Sequence, residues 1–133
     1  MKKSTLAFAA ALAVHASTAS ADWLFVSQDD FSRIYMDPQS REALPEGRVS
    51  IRALTDYDPR AEEAARFGLA EKGLSEIETV VLDCRSEKYR SGGGAWYTDQ
   101  MAAGAVKSAY SARETWSKTP AFYLPLFSKL CRP

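Results

Sequence analysis

The chain has 133 residues, with 17 Lys and Arg balancing 17 Asp and Glu, and one histidine, His15. Neutral charge without a basic run excludes binding driven mainly by nucleic-acid phosphates. A histidine confined to the first fifteen residues removes Ser-His and Cys-His pairs, imidazole acid/base chemistry and the usual zinc sites from the rest of the chain.

Lys2 and Lys3 open the sequence, Ser4 to Val14 is uncharged and mostly apolar, and Ala19-Ser20-Ala21 has the small-x-small form of a signal-peptidase site. Residues 1–21 are therefore expected to be a cleavable signal peptide, with Ser17-Thr18-Ala19 as a second cutting point. The apolar run is shorter than the roughly 20 residues of a spanning helix, and no cysteine follows the cut to take a lipid. This predicts neither membrane span nor lipid anchor, and a periplasmic or secreted domain over residues 22–133 with a net charge of −2 once Lys2 and Lys3 have left. A chain of that size forms one domain and buries roughly two-thirds of its unfolded surface.

Trp23 to Val26 is short and apolar, and Phe31 to Met36 follows the polar run Ser27 to Asp30. The two read as a hairpin, with Asp37-Pro38 ending the second strand. Arg48 to Tyr57 alternates: Val49, Ile51, Ala53, Thr55 and Tyr57 share one face of a half-buried strand. Asp58-Pro59 has the form of a helix N-cap followed by proline, and predicts either a peripheral helix of about ten residues closed by Gly68 or a polar excursion between strands. Glu76 to Cys84 reads as a strand covered on both sides at Val80-Val81-Leu82, with Cys84 on the Val80/Leu82 face. Lys88 to Arg90 and Ala95 to Thr98 read as two strands meeting at a Gly92-Gly93-Gly94 turn, and Ala105 to Tyr110 as the last strand. Pro125 fits only the first turn of a helix, so a helix is expected from near Phe122 to Cys131, with Tyr123, Leu126, Phe127, Leu130 and Cys131 along one face. Trp116 is expected to be an anchor beneath it.

Cys84 and Cys131 enter an oxidising compartment together, too far apart for a Cys-x-x-Cys redox motif and too few for a metal site, which predicts a structural disulfide. Closing so long a loop constrains the unfolded chain by about 4 kcal/mol in the chain-entropy model. The fold class expected is α+β, a single antiparallel β-sheet with a C-terminal α-helix packed across it and disulfide-linked to it.

No catalytic, metal or cofactor residues are assigned. Glu76 and Glu78 share a strand face, but such pairs are far more often solvated than catalytic. Ser91-Gly92-Gly93-Gly94 lacks the Gly-Lys-Ser/Thr of a phosphate loop. No sequence feature marks Met36, Met101 or a tyrosine as a haem ligand. The candidate binding surface is the cluster Lys88, Tyr89, Arg90, Trp96 and Tyr97, because Trp, Tyr and Arg make binding hot spots; the competing reading is that its alternating aromatics pack the core.

Trp23, Tyr35-Met36-Asp37, the Val49 to Tyr57 strand, Asp83-Cys84-Arg85 followed by Tyr89-Arg90, Tyr97, Gly104-Ala105-Val106, Trp116 and a helix ending at Cys131 together resemble the surface-adhesin protein E family. The resemblance implies a compact antiparallel sheet with a C-terminal helix and a cysteine pair like this one. It also implies relatives that are lipid-anchored, bind host extracellular-matrix components and self-associate. This chain departs from them in lacking the anchor cysteine and in a longer, more helical Asp58 to Gly73 excursion. The expected function is thus an exported, non-catalytic, adhesin-like binding module for a host or envelope protein. The alternatives are a periplasmic accessory subunit or inhibitor of another envelope protein, and more distantly a histidine-free enzyme. An open sheet edge would join two copies as a homodimer.

Overall fold

The computed structural model describes residues 22–61, 66 and 68–132. The expected signal peptide and the body of the expected 58–68 helix lie outside the described residues. Strands β1 (Leu24–Gln28), β2 (Ser32–Leu44), β3 (Arg48–Tyr57), β4 (Ser75–Asp83), β5 (Lys88–Tyr97) and β6 (Val106–Tyr110) form an antiparallel meander in sequence order. A short β7 (Ser117–Lys118) pairs with the start of β5. The C-terminal helix, Leu124–Cys131, is entered through a 3-10 turn at Ala121–Tyr123.

One sheet face carries the core. Val49, Ile51 and Ala53 of β3 lie beside Val80 and Leu82 of β4 and Ile34 and Met36 of β2. Tyr123, Leu126, Phe127 and Leu130 descend onto them, the apolar face expected of the C-terminal helix. Cys84 and Cys131 join at the rim, with their Cα atoms 5.4 Å apart. The α+β architecture read from the sequence, with its stapled helix, is the one observed.

Several local expectations fail for non-local reasons. Asp37-Pro38 does not end β2. The strand runs on to Leu44, and the ladder slips so that Asp37 faces Arg52 while Glu42 faces Ser50. Proline has no N–H for the ladder, and the bulge is closed by side chains instead: the Asp37 carboxylate accepts the Gln39 N–H at 3.1 Å, and Ser40 Oγ accepts the Arg52 N–H at 2.8 Å. The triple glycine is not a turn. It lies inside β5, where the register with β4 slips between Ser91 and Gly94. A Cβ at Gly94 would collide with the Ile77 carbonyl and the Tyr110 hydroxyl, so the glycine permits the neighbouring strands to close on it. The actual β4–β5 turn is Cys84–Glu87, where Asp83 Oδ1 accepts the N–H groups of Arg85 and Ser86.

β3 is more than half buried. Leu54, on the face away from the helix, is fully enclosed between cross-strand Tyr35 and Ile77. A 3-10 turn, Gln100–Ala102, is tied over that end of the sheet by Met101 N–H donating to Asp56 and Ala102 N–H to Ser75 Oγ. Gly68, expected to close a helix, has φ +64° and precedes a one-turn helix, Leu69–Lys72, that periodicity had not marked.

Candidate functional site

The two faces of the sheet carry different chemistry. Beyond the apolar core, the helix-bearing face continues into a cluster of carboxylates and tyrosines. Glu78 is buried; Tyr89 Oη donates to one of its oxygens at 2.5 Å and Tyr123 Oη to the other at 2.7 Å. Two residues along β4, Glu76 accepts from the Tyr110 hydroxyl. Strand alternation places both glutamates on this face, and the partners come from β5, β6 and the entry to the C-terminal helix. Burial is the main cause pushing Glu76 up to about 7, with Glu78 adding repulsion, while the Tyr110 hydrogen bond and Lys72 oppose the shift. Desolvation first, and then the nearby carboxylates, raise Tyr89, Tyr110 and Tyr123, so their hydroxyls stay donors. At the rim Trp96 stacks on Tyr57 at 5.6 Å, Phe31 stacks on the other side of Tyr57 at 6.2 Å, and the Lys72 ammonium lies 5.9 Å from the Trp96 ring centre.

This arrangement acts as a polar seam between sheet and helix. Tyrosine hydroxyls occupy both oxygens of Glu78 and one of Glu76, and a cleft of about 470 Å³ opens elsewhere, beside Phe31, Arg33, Asp56, Tyr57, Arg60 and Gln100, without reaching either glutamate. The expectation that Glu76 and Glu78 are a solvated pair is therefore corrected: Glu78 is buried between sheet and helix, and Glu76 is half-buried beneath Tyr110.

The opposite face is built from guanidinium groups and indoles. After β6 the chain turns back along β5, with Arg113 N–H donating to the Ser91 carbonyl, and brings Trp116 over the open sheet. There its ring is flanked by Arg48, 4.8 Å from the centroid, and Arg90, at 5.1 Å. Arg48 also reaches Asp83 at 3.4 Å. Nearer β1, Arg52 lies over Trp23 at 5.5 Å and pairs with Asp37 at 3.3 Å. Trp116 is thus half-buried on the face without the helix, which corrects the expectation of an anchor beneath it. A two-residue strand following an irregular run offers too little periodicity to have shown this.

The five residues of the expected binding surface are divided by strand alternation. Tyr89 and Trp96 belong to the helix-bearing face, where one bonds Glu78 and the other stacks on Tyr57. Lys88 and Arg90 share the open face with Trp116, and Tyr97 sits at the far end of β5 opposite Ser75. Arg48 joins this cluster across two strands. Sequence spacing has no means of showing that, because β3 and β5 meet only through the pairing of both with β4.

Fold and site together define a small, disulfide-stapled antiparallel module whose conspicuous surface chemistry is aromatic and cationic. The chain belongs to the surface-adhesin protein E family, whose model matches residues 23–131. Its fold is similar to that in the structure of crystal form II of Haemophilus influenzae protein E, with a TM-score of 0.57 at 13% identity, covering 93% of this chain and 97% of that one. No curated protein sequence matches significantly. Among the described residues no helix is long and apolar enough to cross a membrane.

Proposed function

We propose that this protein is an exported, non-catalytic binding module whose open sheet face engages a protein partner. The observation that carries the reading is Trp116 held between Arg48 and Arg90 outside the hydrophobic core. Trp and Arg dominate binding hot spots, and an indole held half-exposed by two guanidinium groups is a pre-organised contact rather than a packing residue. Family membership supports an adhesin role, and the start of the sequence supports export through a cleaved signal peptide over residues 1–21, leaving one domain over 22–133. The resemblance points to host extracellular-matrix proteins as partners. Joining of Cys84 to Cys131 leaves neither for lipidation and favours a second reading, a periplasmic accessory subunit or inhibitor of another envelope protein.

The test is crosslinking in cells expressing the tagged chain with its own leader, alongside binding of the purified exported protein to immobilised matrix proteins. Saturable matrix binding together with surface labelling of intact cells supports the adhesin. One dominant envelope partner supports the accessory subunit. Binding to neither would sink the module reading.

A further inference from the structure

We infer that the open face around Trp116 is a docking site for an acidic polypeptide segment, one that presents carboxylates next to an apolar side chain. The inference rests on the binding-module reading and adds the chemistry of the partner. A single cross-strand row runs Arg48, Asp83, Lys88, Lys118 over β3, β4, β5 and β7. Lys88 and Lys118 are both exposed and stand directly opposite one another, an arrangement of like charges that weakens a strand pair. Two residues along β5, Arg90 rests on the Trp116 ring, gives Nη1 to the Arg113 carbonyl at 3.3 Å, and has a buried Nε that meets no acceptor.

Of the acidic groups nearby, Asp83, Glu46 and Glu87 are already committed, Glu87 to Arg132 at 3.0 Å, while exposed Glu114 makes no ion pair among the described residues. Asp83 receives Arg48 and the two N–H groups of its turn, and Glu46 also reaches Arg48, at 3.5 Å. Among the described residues no carboxylate pairs with Lys88, Arg90 or Lys118. The whole chain is neutral, so the excess is local to this face. An incoming carboxylate group relieves the Lys88–Lys118 repulsion and takes charge-assisted hydrogen bonds from these two exposed ammonium groups. Two cations of this face, Arg48 and Arg90, flank the Trp116 indole. A polypeptide with an acidic residue beside an apolar one fills both parts of the site, whereas a sulfated polysaccharide or an anionic bilayer engages the cations and leaves Trp116 unused.

The probe is a fluorescein-labelled peptide of alternating Glu and Leu, compared by polarisation with its Gln-for-Glu counterpart, using the full chain purified after export. Saturable binding of the Glu peptide is expected, weakened about tenfold by K88E and by K118E, which alter exposed side chains only, and by W116A. The reversal K129E, on the C-terminal helix, is expected to leave it unchanged. Equal binding of the Gln peptide, loss-free binding by K118E, or capture of heparin or phosphatidylglycerol vesicles without the Glu peptide overturns the inference. If a matrix or envelope partner found by the earlier assay binds K88E and K118E undiminished, the docking site fails while the module reading stands; if no partner is found there at all, it is the module reading that fails.

Discussion

Stability of this protein should fall as pH rises through neutrality, and Glu76 should be the cause. Its carboxyl is pushed from 4.5 up to about 7, chiefly by burial. A raised carboxyl makes its contribution in full below the unfolded value and loses it as pH climbs through the folded one. Between about pH 5.5 and about pH 8 the loss is about 2 kcal/mol, reduced where water reaches the group, which corresponds to a fall in midpoint of roughly 5–10 °C for a domain of this size. The groups facing Glu76 are Tyr110 from β6, Glu78 on its own strand and Lys72 from the one-turn helix. The single histidine lies at position 15, outside the described residues, so no imidazole of the sheet or helix titrates in the same window. Thermal unfolding by circular dichroism, in the disulfide-intact protein, measures the slope directly. Glu76→Gln keeps an acceptor for Tyr110 and removes the proton, so its midpoint should be nearly flat across that interval. If wild type and E76Q decline in parallel, the assignment to Glu76 is wrong.

Three further outcomes follow from the packing. Replacing Cys84 and Cys131 together by Ser should lower the thermal midpoint by many degrees in oxidising buffer, since the closed loop is worth about 4 kcal/mol; an unchanged midpoint would show that the staple does not hold helix to sheet. Tyr123→Phe withdraws one of the two hydroxyls on buried Glu78 and should cost about 1–3 kcal/mol in urea unfolding, more than Tyr35→Phe, whose ring packs edge-on against Phe25 near the exposed β1 edge. Gly94→Ala should destabilise by more than about 2 kcal/mol, because its methyl group meets the Ile77 backbone, which has no freedom to retreat within β4. By contrast Gly68→Ala meets no neighbour, and only its positive φ resists the change.

Much of the architecture was legible along the chain. The alternation of Val49, Ile51, Ala53 and Thr55 marks β3 at its observed limits, Arg48–Tyr57, and the apolar run at Val80-Val81-Leu82 correctly signals a centre covered on both faces. The spacing of Tyr123, Leu126, Phe127 and Leu130 likewise identifies the face that docks. These signals are local: a strand or helix repeats its pattern within its own residues, and the pattern exists because one side must leave water.

The site was only half legible, for the complementary reason. Lys88 and Arg90 are recognisable by type, and Glu76 and Glu78 by their shared face. Yet whether a carboxylate is solvated or sealed beneath Tyr110 and Tyr123 depends on residues more than thirty positions away. The same holds for Trp116. Its neighbours Arg48 and Arg90 are assembled by the order in which strands pair, and its position over the open face is set by a chain segment with no period of its own. Asp37-Pro38 and Gly92-Gly93-Gly94 make the same point for the backbone. Each has the local chemistry of a turn, and each is carried through a strand because flanking ladders on both sides supply more hydrogen bonds than one bulge removes. Sequence by itself therefore determined which segments become strands and helix and which faces they bury. Tertiary structure alone decided which side chains meet, because contact across a sheet is a property of strand order and register, and neither is written in any one segment.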